Sequence, residues 1–353
     1  MTAPTARTAG VASGEREREL VEPVDLCLAD GRLNPAAIGW SRRPLHRGNL
    51  RGQWGRKKRW DYWCVTTDQH MVSFTYADID YLGLASVAFV DFTEQRWIER
   101  TAVVPMALGF RQPETVGGCD IEIDRMGLSL AINERSTGTH LQATFRARSG
   151  ERVSVDVVVS LPDDHETLSV VVPWSERVFQ FTSKHNTRPA TGHVTVDGRR
   201  HDIGPDNDGF GCLDYGRGVW PYRTTWNWAS ASGVRDGRSI GLQFGGKWTD
   251  GTGATENGIC IDGRLSKISE RAEFQYDRRD FRRPWRIVTP GADRVDLTFA
   301  PFYEKSVKGN ALVLGGELHL CFGRFSGTVV DDDGVRHTVD DLVGWAEEVQ
   351  ARW

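Results

Sequence analysis

From about residue 60 onward, apolar residues recur in short runs at every second position, the period of a strand with one buried face. WDYWCVTT, MVSFTYADI, ASVAFVDF, TAVVPMAL, LSLAINER, HLQATFRAR, RVSVDVVVSL and TLSVVVPW are rich in β-branched and aromatic residues and are separated by Gly, Asp, Asn or Pro. The second half repeats the habit in GHVTVDG, SIGLQFGGKW, GICIDGRL, AEFQYD, WRIVTP, RVDLTFAPFYE and ALVLGGELHLCFGRFSGTVV. The pairs Asp197-Gly198, Asp236-Gly237, Asp262-Gly263 and Asp333-Gly334 lie between apolar runs, where hairpins need a residue pair that tolerates positive φ. Helical spacing shows only in VDDLVGWAEEVQARW and, weakly, from Asn34 to Ile38. The pattern predicts a mainly β chain closed by a short C-terminal helix.

Strands in such number must pair sheet on sheet or close into barrels to protect their edges. The chain has 353 residues, which suits two consecutive β units better than one. We expect a disordered tail over 1–22, a first β domain over 23–190 and a second over 191–353. The break is placed between Pro173 and Gly192, where VVPWSERVFQFTSKHNTRPATG loses alternation and turns polar.

Composition removes several classes of function. Hydrophobic residues make up 39% of the chain, charged residues 26%, and the net charge is −4, so the overall balance gives no pull toward nucleic acid or an anionic membrane. No apolar run reaches the length of a transmembrane helix. MTAPTARTAGVASGEREREL lacks the apolar centre of a secretory signal, so a cytoplasmic location is expected. Six cysteines without CxxC spacing fit reduced thiols in a cytosolic core better than disulfides or a metal site. The nine histidines form neither HxH nor HExxH, GFGCLDYGRG is not followed by a helix, and no GxSxG is present. Neither metal nor cofactor is expected.

What remains is an aromatic and acidic concentration between Asp214 and Glu256. LDYGRGVWPYRTTWNW and GGKWTDGTGATENG put the carboxylates Asp214, Asp250 and Glu256 near Trp220, Trp226, Trp228 and Trp248, with Arg217, Arg223 and Lys247 as counter-charge. A carboxylic acid enclosed by aromatic walls is desolvated, which favours its protonated, proton-donating form. Aromatic faces also attract a cation held over the ring. Together they suit protonation of an alkene through a carbocation. Against this, tryptophan in a β protein commonly fills core, and Asp214 could be a core carboxylate paired with Arg217 or Arg223.

Two further segments stand out. NLRGQWGRKKRWDYWCV joins the basic run Arg56-Lys57-Lys58-Arg59 to Trp54, Trp60, Tyr62 and Trp63, which suits either nucleic acid or a turn with acidic partners, the second being favoured. Asp61 points away from Trp60 and Tyr62 if that strand is regular. FQFTSKHNTRP places Lys184, His185 and Asn186 after an apolar strand end, as site residues or as a polar linker.

The motifs NLRGxWGRKKRWDYW, FTSKHN, GRGVWPYRTTWNW and GGKWTDGTGxTENG resemble those of a bacterial domain-of-unknown-function family over about Leu26 to Trp353. More distantly, the chain is similar to hydroxyneurosporene synthase (a carotenoid hydratase) and to lipocalin-like cyclases, among them tocopherol cyclase and decalin-forming Diels–Alder enzymes. Trp60-Asp61-Tyr62-Trp63 is similar to their W-E-W-W-Y motif, with Asp61 in the acidic place. Asp214-Tyr215 and Trp226-Asn227-Trp228 look like their D-H-x-W and W-x-W pieces, and Asp236-Gly237-Arg238 like their hairpin turn. Tyr215 replaces the histidine, the next tryptophan is missing, and GRGVWPYR is inserted. The resemblance implies two consecutive lipocalin-like antiparallel β-barrels and an apolar isoprenoid or lipid-like substrate.

The expectation is therefore a cofactor-free hydratase, cyclase or isomerase. Asp214 would be the acid, Tyr222 and Arg223 would tune it, and Asp250, Glu256 and Asp61 are substitutes. Trp60, Trp63, Lys184, His185, Trp220, Trp226, Trp228 and Trp248 would line an aromatic pocket of the second barrel, closed by the first. The alternatives are a lipid or pigment carrier on the same fold, and a carbohydrate-active or carbohydrate-binding protein with solvent-facing tryptophans.

Overall fold

The computed structural model describes residues 17–311 and 314–353. The predicted strands pair into two large barrel-like antiparallel sheets, of thirteen and nine strands. In the first, the central path runs from Arg96–Pro105 through Leu82–Asp91, His70–Asp78 and Lys57–Thr66 to Phe210–Val219, then through Phe179–Val196, Arg152–Ser160, Gly138–Arg146 and Leu128–Arg135 to Ile121–Arg125. The second is centred on Arg223–Arg235, Arg336–Arg352 and Leu314–Val330. Strand Phe179–Val196 runs through the expected boundary at residue 190, and the chain changes sheets at Trp220–Tyr222.

Three expectations need correction. Among the described residues there is no α-helix, and all of VDDLVGWAEEVQARW but its last residue lies within the strand Arg336–Arg352. Residues 1–16 of the expected tail lie outside the described residues, but 17–22 are tied down: Leu20 is buried and Glu17 accepts the Lys267 ammonium at 2.6 Å. FTSKHN is no linker, because it forms the middle of Phe179–Val196, with a register break between His185 and Arg188 and Thr187 at φ 62°.

Alternation sorts each central strand between two burials. Trp63 and Val65, Leu213 and Tyr215 face the core of the first sheet, whereas Tyr62, Cys64 and Cys212 turn the other way. Ala229, Ala231, Leu342 and Ala346 face the core of the second sheet, whereas Trp228, Val343 and Trp345 turn toward the first. The outer faces of the two sheets thus meet in a shared apolar layer of Cys64, Met71, Phe92, Trp228, Phe322 and Trp345. A strand buried on both faces needs few charged positions, and the exceptions mark sites. All six cysteines are free, and only Cys119 is exposed.

The basic run finds partners within the chain. Lys57 and Arg59 lie within ion-pair distance of Asp80, Arg59 also meets Asp78, and Arg56 donates to the Trp220 carbonyl. Lys58 is buried over the Tyr81 ring.

Candidate active site

Between the outer faces lies a cavity of about 410 Å³. Trp60, Tyr62, Thr75, Ala77, Thr182, Lys184 and Asp214 form its wall on the first sheet. Trp226, Trp228, Leu318, Leu320, Glu347 and Val349 form the opposite wall, and Trp220, Trp248, Glu256 and Trp353 complete the lining. The pocket therefore belongs to neither barrel interior: it is built by the strand faces that leave each core.

GVWPYRTTWNW supplies the hub of this wall. Trp220 stacks on Trp248 at 5.6 Å between centroids and meets Trp60, Trp226 and Trp353 at 5.7, 5.9 and 5.7 Å. Its indole N–H donates to Gln180 Oε1 at 2.7 Å, which leaves the ring apolar toward the cavity. Glycine makes the closest approaches possible. A Cβ on Gly216 would lie 2.1 Å from the Trp60 ring, and one on Gly245 would lie 2.0 Å from Glu256 Oε1. Only a residue without a side chain lets Trp60 cross the neighbouring strand and Glu256 reach the site.

The charged groups are one ammonium and three carboxylates. Lys184 Nζ lies 2.9 Å from Asp214 Oδ2, 3.4 Å from Glu256 Oε2 and 4.1 Å from the Trp228 ring centroid. Thr182 donates to Asp214 Oδ1 at 3.1 Å, so both Asp214 oxygens are engaged as acceptors. Glu256 Oε1 accepts the Trp248 indole N–H at 2.6 Å. Among the described residues, Glu347 Oε1 accepts only the Trp226 indole N–H, at 2.9 Å.

Their titration follows from this uneven pairing. Burial pushes Glu347 up to about 7, since the Trp226 hydrogen bond and Lys184 pull down too little and Asp214 and Glu256 add repulsion. Burial also raises Glu256, against the pull of Lys184. Burial alone would lower Lys184, but Asp214 and Glu256 outweigh it and hold the pKa above the usual lysine value. The site therefore sets the Lys184 ammonium, 2.9 Å from Asp214, beside one carboxyl, Glu347, poised to hold or release a proton near neutral pH.

Of the predicted residues, Trp60, Lys184, Asp214, Trp220, Trp226, Trp228, Trp248 and Glu256 meet in this cavity. The others lie elsewhere. Tyr222 and Arg223 are exposed where the chain passes between sheets, and Asp250 is exposed beside Arg271 at 3.3 Å. Trp63 faces the first core under the Arg188 guanidinium, and His185 hydrogen-bonds Ser183 at 2.9 Å, because each is one residue out of phase with a cavity residue. Asp61 likewise faces away and pairs with Arg217 at 3.0 Å, so Arg217 is not the partner of Asp214. Glu347 was missed, since its segment reads as a helix.

The model of a family described as a domain of unknown function, DUF2804, matches residues 17–353. No curated protein matches the chain by sequence. Among solved structures, a protein assigned as AttH from Nitrosomonas europaea is similar over 83% of this chain and 92% of its own, with a TM-score of 0.50 and 12% identity, which shows a shared fold. Kievitone hydratase from Nectria haematococca aligns with 84% of this chain and 88% of its own, at a TM-score of 0.45 and 12% identity.

Proposed function

The chain belongs to the DUF2804 family, and we propose that in this member the inter-sheet cavity is the active site of a cofactor-free enzyme that protonates an apolar, isoprenoid or lipid-like substrate. Hydration, cyclisation or isomerisation then differ only in the fate of the cation. The observation that carries the proposal is Glu347, a carboxyl with a pKa near 7 against Trp226 in an aromatic cavity. A general acid works best with its pKa near the working pH.

In this scheme Glu347 delivers its proton to one carbon of an alkene, and positive charge develops on the neighbouring carbon. The faces of Trp220 and Trp226 stabilise that charge, while Lys184 stays paired with Asp214 and Glu256. In a hydratase, water adds to the cation and its surplus proton leaves to a cavity carboxylate. In an isomerase, loss of a neighbouring proton restores an alkene. Glu347 thus takes the acid role expected of Asp214, whose two oxygens are already accepting.

The lining supports an apolar ligand over a sugar. Trp220, Trp228 and Trp248 are buried, so they offer no solvent-facing platform for a sugar ring. A volume of 410 Å³ is in the lower part of the range of small-molecule sites, roughly 300 to 1,000 Å³.

The test is mass spectrometry of solvent extracts from wild type, Glu347→Gln and Asp214→Asn purified from the native host. An apolar compound that accumulates on Glu347→Gln but is converted by wild type supports the assignment. One compound retained unchanged by all three proteins means a carrier, and no retained apolar compound on any of them overturns the substrate class.

A further inference from the structure

A second cluster lies far from the cavity, on the opposite face of the same strand. His70 opens the strand His70–Asp78 and stands directly across from Asp91, the last residue of Leu82–Asp91. His201 comes from Arg199–Ile203, which pairs with Phe179–Val196 elsewhere in the first sheet. One ligand-type atom from each of the three lies within 4.8 Å of the others. Thr75 and Ala77, on the other face of the His70 strand, line the cavity. His70 lies five residues from Thr75 along the sequence, about 17 Å at a strand's rise.

We infer that His70, Asp91 and His201 form a three-donor site for a first-row divalent cation such as zinc, with water completing its coordination. His201 Nδ1 lies 3.0 Å from His70 Nε2, which in turn lies 3.6 Å from Asp91 Oδ2. Donors bound to zinc at about 2.0–2.1 Å in a tetrahedron sit roughly 3.3 Å apart, between those two separations. Two imidazole nitrogens and one carboxylate oxygen suit zinc, and they disfavour magnesium and calcium, which take oxygen.

The surroundings hold the three groups in place. Asp91 Oδ1 accepts the backbone N–H groups of Thr93 and Glu94, both at 2.9 Å, which fixes the carboxylate and leaves Oδ2 toward the histidines. Phe89 stacks on the His70 ring at 5.5 Å and lies under His201 at 4.9 Å, so neither imidazole is free to turn away. Among the described residues, His70 Nδ1 and Asp68 Oδ1 are buried without a hydrogen-bond partner, although the Asp68 charge acts on His70. Ligating histidines commonly present their second nitrogen to a carboxylate, a role open to Asp68.

The proposed ion clips Arg199–Ile203 to the end of the His70–Asp91 hairpin, joining segments that share no ladder. Tag-free protein stripped with a chelator and titrated with Zn²⁺ is expected to bind one equivalent by calorimetry and to melt at a higher temperature. Co²⁺, with water as its fourth ligand, should give the intense visible absorption of a four-coordinate site, and Mg²⁺ should not compete. His201→Ala and Asp91→Asn should each weaken binding about 100-fold or more while tryptophan fluorescence remains native. If either variant misfolds, cadmium NMR of the wild type identifies nitrogen and oxygen donors directly. Absence of saturable binding, or a folded His201→Ala that binds as tightly as wild type, would sink the assignment and leave a histidine–histidine hydrogen bond.

Discussion

Replacing Glu347 by glutamine tests the site through stability alone, without a substrate. The side chain keeps its shape and its acceptor for Trp226 but loses the ability to ionise. In the folded protein Glu347 titrates near 7, whereas an ordinary glutamate titrates at 4.5. A folded pKa raised above the unfolded one means that the group favours folding at low pH. That contribution is full below pH 4.5 and is lost as pH rises to about 7, where the folded protein also releases the proton. The difference in pKa corresponds to up to about 3 kcal/mol at roughly 1.4 kcal/mol for each tenfold change.

Urea unfolding of wild type and Glu347→Gln, followed by tryptophan fluorescence from pH 5 to 8, measures this directly. Wild type should lose stability relative to the variant across that window, by about 1 kcal/mol or more for each pH unit below 7 and by little above it. The variant should be the more stable protein at pH 8. Two curves that run parallel across the window would refute a buried, singly bonded carboxyl, and with it the general acid. Once a substrate is known, kcat/KM of the wild type should fall as pH rises past about 7, and the variant should lose roughly 100-fold or more.

Other predictions rest on single contacts. Lys184→Met should cost about 3–5 kcal/mol at neutral pH, because it strands Asp214 and Glu256 without their ammonium, and part of the loss should be recovered in acid. Equal losses at pH 5 and pH 8, read from urea midpoints, would contradict this. Gly216→Ala should displace Trp60 from Trp220, shift the tryptophan emission spectrum and cost about 1–3 kcal/mol, and an unchanged spectrum and midpoint would show that Trp60 is not pinned there. Trp228→Ala should cost about 3–5 kcal/mol and weaken any apolar ligand, since the ring carries both the cavity wall and the Lys184 contact. Stability within about 1 kcal/mol of wild type would place Trp228 outside the packed layer.

The β class, most strand positions and the aromatic wall were legible in the sequence because they rest on local period and composition. The C-terminal strand was not. Asp341 takes φ 53°, and the pairing with the neighbouring strand jumps from Gly327–Val339 to Phe325–Leu342. That bulge shifts the phase of alternation, so core residues Val339, Leu342 and Ala346 fall three and four apart, as on a helix. Both faces of the strand are then buried. Glu347 faces the cavity and Glu348 the interior of the second sheet, where it pairs with Lys247 at 2.6 Å and Arg278 at 2.7 Å. Adjacent glutamates that look like a solvated helix face are two buried carboxylates with opposite surroundings and opposite pKa directions, Glu347 up and Glu348 down to about 2.

The same geometry explains which residue types a motif reading can place. Trp226 and Trp228 are two apart and share a face, so the W-x-W spacing sets both against the cavity, and Asn227 between them meets Tyr276 on the other side. FTSKHN could not be divided in that way without knowing the strand phase, which sends Lys184 into the cavity and His185 away from it. Asn186, at the bulge, donates to Ser230 at 3.1 Å and to the Leu242 carbonyl at 2.6 Å, fastening the strand that carries Lys184 to the second sheet. Losing that tether would leave both cores intact but let the cavity walls move apart. Asn186→Ala should therefore reduce ligand retention more than it reduces the urea midpoint, whereas a loss of stability with full retention would mean that the bulge serves packing and does not hold the cavity shut.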